Sequence, residues 1–147
     1  MSIKDLDLEY ESYEKILDHN NSLREKQVEL LSKQIKDSKP LIEWYRKKRF
    51  SFTHPHINYI SNGGPILGFD EKESNVFIYN PSEGLLKINS KSNEGKSTFI
   101  EHLIENGHFK TAMEGLVYLN HMIAKYKSDL ERDTLEREVQ INQFIEM

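Results

Sequence analysis

Hydrophobic and polar positions divide the chain into a long helical start, a middle of short apolar runs and a helical end. Residues 6–38 contain neither proline nor glycine and are rich in Glu, Lys, Leu and Gln, which favour helix. Ile16, Leu23 and Leu30 recur every seven residues, with Asn20, Gln27 and Gln34 at the alternate heptad positions. Val28, Leu31 and Ile35 widen the stripe in the second half. A helix of about 33 residues spans about 50 Å, more than the flank of a domain this size, so the excess is expected to pair with another helix. Pro40 is expected to end it, because proline lacks the N–H and its ring excludes the residue before it from the α region. Ser38 then caps a second helix over 40–49 with Leu41, Ile42, Trp44 and Tyr45 as its apolar face. Arg46, Lys47, Lys48 and Arg49 close it with cations that suit a helix C-terminus.

From residue 50 to 89 the texture becomes short apolar runs separated by turn residues. Residues 52–60, 66–69, 76–79 and 85–88 read as strands, divided by Asn62-Gly63-Gly64-Pro65, by 70–75 and by Asn80-Pro81-Ser82-Glu83-Gly84. Loops this short join antiparallel neighbours. Thr98 and Glu101 have the spacing of a capping box and open a helix over 98–106 that stops at Asn106-Gly107. Thr111 and Glu114 repeat the signal for a last helix over 111–145 with a stripe of Leu116, Leu119, Ile123, Tyr126 and Leu130. Val139, Ile141, Phe144 and Ile145 form a looser apolar face at its end. The fold class is α+β: a small antiparallel three- to four-stranded meander packed by helices, with long N- and C-terminal amphipathic helices forming a hairpin or stalk. A chain of 147 residues suits one domain.

Composition narrows the function. Apolar residues make up 37% and charged residues 30%, a balance that fits a small core with solvated helices projecting from it. Most aromatic and β-branched residues lie between 50 and 119, where the core is expected. Without cysteine there are no disulfides, thiolate metal sites or cysteine nucleophiles. The acidic start is unlike a signal peptide and no run is apolar enough for a membrane helix, so a cytoplasmic location is expected. A net charge of −4 disfavours wholesale coating of nucleic acid. Lysine outnumbers arginine 15 to 5, and two alanines stand against 14 isoleucines and 11 asparagines. Such usage reflects AT-rich coding, as in low-GC bacteria and their phages.

Chemistry-bearing strings are sparse. Residues 90–97 end in Gly95-Lys96-Ser97, the tail of a phosphate-binding loop, but Ser90 stands where the motif needs its first glycine. No strand ending in aspartate follows to hold magnesium, so a polar loop is the expectation. His54 and His56 flank Pro55 and would share one face of an extended strand, where a carboxylate from elsewhere would complete a zinc site. Glu105 and His108 have the spacing of carboxylate-bridged metal sites, but only once and across Gly107. Structural histidines are commoner, and no serine elbow is present. Neither a catalytic residue, a metal nor a cofactor is therefore expected. Arg46, Lys47, Lys48 and Arg49, next to Trp44, are the best nucleic-acid signal. The helical seams carry more: polar amides at Asn20 and Gln27 weaken a coiled coil yet fix register and partner. The expected function is a non-enzymatic, protein-binding regulatory or inhibitory accessory protein, from a phage or mobile element and acting on a host factor. Its partner-binding residues are expected to be Ile16, Asn20, Leu23, Gln27, Leu30, Trp44, Arg46, Lys47, Lys48 and Arg49, with self-association through the helical ends. The alternative is a nucleic-acid-binding regulator that uses 46–49.

Overall fold

The computed structural model describes residues 2–145 and 147. It contains α1 (Ile3–Lys47), β1 (Ile66–Asp70), β2 (Asn75–Asn80), β3 (Gly84–Asn89), β4 (Gly95–Ser97), α2 (Ile100–Glu105), α3 (Phe109–Val117) and α4 (Leu119–Ile145). The strands form an antiparallel meander in the order β1-β2-β3-β4. The chain is thus α+β, with long helices at both ends.

Alternation along β2 builds the core. Phe77 joins Leu67 and Leu85 on the face that packs against Leu31 and Ile35 of α1, Leu103 of α2, and Ala112 and Leu116 of α3. Val76 and Ile78 point the other way, with Ile66, and are covered by Ile57 and Tyr59. A bulge between Ile66 and Gly68 resets the pairing of β1. At Gly115 a Cβ would come within 2.2 Å of the Ile66 carbonyl oxygen, so only glycine lets α3 lie this close to β1.

Four expectations are corrected. Pro40 does not end the first helix, which runs unbroken from Ile3 to Lys47, so the separate helices over 6–38 and 40–49 are one. Leu31, Ile35, Ser38, Ile42 and Tyr45 are buried on one line across the proline. Tertiary burial on both sides outweighs the roughly 3 kcal/mol that an interior proline costs a helix. Pro40 itself is exposed.

Residues 52–60 do not form a strand. Only Phe52 and Ser61 pair, as an isolated bridge that closes the segment into a loop over the second face of the sheet. The His54 ring accepts the His56 N–H at 2.9 Å, and Pro55 has no N–H, so the donors of a ladder are missing.

Thr98 caps no helix. Its N–H donates to the Leu85 carbonyl, beside the unexpected strand β4, and α2 begins after Phe99 without a side-chain cap. Thr111 lies inside α3, whose N-cap is His108, and the last helix is divided at Tyr118 into α3 and α4.

Candidate partner-binding surface

Every residue from 3 to 26 is exposed, as is every residue from 127 to 145. These two arms are about 36 Å and about 28 Å long. Leu119, Asn120 and Ile123 line one groove with Pro40, Leu41 and Trp44, while Tyr126 packs on Phe50 beyond the end of α1. Contacts thus advance along α1 and α4 in the same direction, and the arms leave opposite ends of the buried segment. The two ends do not form an intrachain hairpin.

Tyr45 fastens α4 to α1. Its hydroxyl donates to the Leu119 carbonyl at 2.6 Å and accepts the Ile123 N–H at 3.0 Å, joining both members of one helical i→i+4 pair. Burial raises the pKa of this phenol. Tyr126 donates to the Ser51 carbonyl at 2.7 Å and anchors the next turn.

The arms continue the core stripe. Leu6, Tyr10, Tyr13 and Leu17 precede Val28, Leu31, Ile35, Ser38, Ile42 and Tyr45 at spacings of three or four residues, with Asn20 and Arg24 between. At 3.6 residues per turn all of these share one face. Tyr10 and Tyr13 stack with ring centroids 6.3 Å apart. On α4, Leu119, Met122 and Tyr126 are followed by Leu130, Ile141 and Phe144 on one face, with Asp133 and Arg137 between them paired at 2.9 Å.

Ile16, Leu23 and Leu30 lie about a quarter-turn away from this stripe. All three are exposed, Asn20 is exposed and Gln27 is half-buried. The structure therefore places the expected seam beside the main apolar face. Leu6, Tyr10, Tyr13 and Leu17 escape a strict seven-residue repeat of Leu and Ile because tyrosine and leucine share that face. The mixed spacing, extended backwards from Leu31, carries the signal.

Trp44 is partly exposed and stacks on Phe50 at 6.2 Å with planes 16° apart. Arg46, Lys47, Lys48 and Arg49 are exposed and, among the described residues, make no ion pair. They also form the helix stop. Phe50 N–H donates to the Tyr45 carbonyl and Arg49 N–H to the Arg46 carbonyl, while Arg49 adopts φ 62°. This is a Schellman motif with arginine where glycine is usual, and Phe50 meets the Tyr45 ring edge-on, as the motif's hydrophobic contact requires.

Charge is distributed unequally between the arms. The C-terminal arm is laced by Lys127–Glu131, Arg132–Asp129 and Arg137–Asp133, and Lys125–Asp129 lies at its root. Among the described residues, Asp7, Glu11, Glu14 and Asp18 of the N-terminal arm make no ion pair, and neither do Lys36 and Lys39. A groove beside Ile35, Lys36 and Lys39 is walled on its other side by Leu85, Phe99 and Ile100. Phe99 in that wall is 73% exposed. A second groove, between Gln27 of α1 and Met113 and Val117 of α3, has Lys110 and Glu114 on its rim.

The remaining strings take structural places. The His54 Nε2 lies 2.8 Å from the Thr111 carbonyl and donates to it, and its Nδ1 accepts from His56. Both nitrogens are engaged, in a neutral ring whose pKa is lowered by burial. His56 Nε2 meets Glu114 at 2.9 Å on the surface. Among the described residues no group of three His, Asp or Glu is arranged to hold a metal. Gly95, Lys96 and Ser97 form β4, paired with β3, so their backbone runs along a sheet edge and does not curl into a helix N-terminus. No helix of the described residues is long and apolar enough to cross a membrane. No protein-family model matches the chain, and no curated protein and no solved structure matches it.

Proposed function

We propose that this is a non-enzymatic, protein-binding accessory protein, regulatory or inhibitory in action, whose helical arms are its recognition elements. The observation that carries this reading is the apolar stripe of the core continuing, on the same helix face, onto an arm with no cover. Amphipathic helices of this kind lay their apolar face into a groove of a partner. The arm is long enough for several anchors: Leu6, Tyr10, Tyr13 and Leu17 extend over three turns. AT-rich coding suggests a phage or mobile element of a low-GC bacterium as the setting, with a host factor as the target. Capture from a low-GC bacterial lysate, with and without nuclease, tests the reading. One partner retained after nuclease, and lost when Tyr10 and Leu17 are changed to Ser, is the expected result.

A second reading, nucleic-acid binding through residues 46–49, is supported by four exposed cations without ion-pair partners beside a half-exposed Trp44. Against it stands the net charge of −4, with six carboxylates between residues 3 and 18. Titration with short DNA and RNA at low salt separates the two. Binding that disappears when Arg46, Lys47, Lys48 and Arg49 are all changed to Ala would favour the second.

A further inference from the structure

We infer that two copies of this chain pair through α1 in antiparallel fashion, each acidic N-terminal arm lying in the groove between α1 and the Phe99 wall of the other. The inference rests on the protein-binding reading of the arms and names one partner for them, a second copy.

The argument starts from a line along α1. Asp7, Glu11, Glu14 and Asp18 follow one another at spacings of four, three and four, which places them on one edge of the arm. Carried down the same helix, that edge arrives at Ser32, Lys36 and Lys39, the α1 side of the groove. That edge carries four carboxylates at its start, Glu25 and Glu29 in its middle, and Lys36 and Lys39 ahead of Glu43 towards its end. Neither the first four carboxylates nor the two lysines have an ion-pair partner within the described residues. Antiparallel pairing brings acid to base at both ends. A two-fold axis near residue 23 sets Asp7 opposite Lys39 and Tyr10 opposite Lys36, and makes the contact self-complementary and closed.

The apolar stripe fits the same arrangement. Leu6, Tyr10, Tyr13 and Leu17 lie about a quarter-turn from the acidic edge, on the side of α1 that faces its own body further along. With two helices side by side and both bodies beneath them, each arm lies over the other body. Its stripe then meets Leu85, Phe99 and Ile100, including the large apolar side chain left exposed there. An arm cannot reach its own groove, because arm and groove wall are one continuous helix pointing away from each other.

A charge exchange tests this with the full chain. One variant carries Lys36→Glu and Lys39→Glu, the other Asp7→Lys and Glu14→Lys, and mass is read by light scattering at about 50 µM. The unmodified chain is expected to be a dimer, with association weakened about a hundredfold in each variant alone, leaving monomers. An equimolar mixture should recover the dimer mass, because the mixed pair matches an arm to a groove at both sites. That recovery also shows that both variants fold. A monomeric unmodified chain, variants that stay dimeric, or a mixture that stays monomeric would each overturn the pairing. If the unmodified chain is monomeric yet still captures a foreign protein through Tyr10 and Leu17, self-pairing is refuted and the protein-binding reading stands.

Discussion

Residues 28–45 of α1 present Leu31, Ile35, Ser38, Ile42 and Tyr45 to the sheet and the other helices. Residues 6–17 present Leu6, Tyr10, Tyr13 and Leu17, on the same helix face, to solvent. The first set is held by tertiary burial, at about 1.5–3 kcal/mol for each large apolar side chain. The second is held by local terms alone: helix propensity and the Ser2–Asp5 capping box, in which Asp5 N–H donates to Ser2 Oγ and the Asp5 carboxylate accepts from Ser2 N–H. An isolated helix of such length is marginal in water. Identical patterning with unequal cover shows that amphipathicity marks a face for burial without saying which molecule supplies the cover.

The sharpest contrast comes from matched truncations. Leu31→Ala should destabilise the fold by about 3 kcal/mol, because it removes a fully buried side chain among several others. Leu17→Ala should change monomer stability by less than about 0.5 kcal/mol. Urea unfolding at low protein concentration reads both, and equal costs would break the comparison. Tyr45→Phe probes the joint between α1 and α4. Loss of a hydroxyl that serves both Leu119 and Ile123 should cost about 1–2 kcal/mol in the same assay.

Much of the body was legible in the sequence because its signals are local. Alternation in 76–79 and 85–88, with turn residues between, gave β2 and β3 within a residue or two of their ends. Where local rules met tertiary cover, the cover decided. Pro40 reads as a stop by chain chemistry, yet the burial of Ile35, Ser38, Ile42 and Tyr45 carries the helix through it. Residues 52–60 are apolar enough for a strand, but they lie over the sheet as a loop stapled by His54. The site was half legible. That the helical ends extend beyond the core followed from length, but the apolar face they leave uncovered did not. Tyr10, Tyr13 and Ser38 interrupt any run of Leu and Ile on that face, whereas Ile16, Leu23 and Leu30 repeat in strict sevens beside it.

Acid should distinguish body from arm in the same direction. Burial lowers the pKa of His54, although its bond to Thr111 and the charge of Glu114 oppose this. Burial likewise lowers that of His108, packed against Gly68 and Phe77, with Asp70 opposing. Each ring binds its proton less readily folded than unfolded, so the unfolded chain gains protons first as pH falls below about 6.5. The stability these neutral rings contribute is complete above that value and is lost below it. Unfolding free energy measured between pH 7.5 and 5 should therefore decline, and His54→Gln should flatten the decline. A profile unchanged by the substitution would remove His54 from the account. A gain is expected at the helix stop: Arg49→Gly should stabilise by up to about 1 kcal/mol, since φ 62° strains arginine but not glycine. A loss of stability would mean that the arginine side chain holds the turn.

Hydrogen exchange along α1 tests the central claim most directly, since it reads both halves of one helix in one experiment. At low micromolar concentration residues 28–45 should be strongly protected, with no gap of unfolding at Pro40, and residues 3–26 should exchange within seconds. Raising the concentration until chains associate should slow exchange in 3–26 and leave 28–45 unchanged. Strong protection of the arm at every concentration would mean that its face is already covered within the chain, contrary to this account.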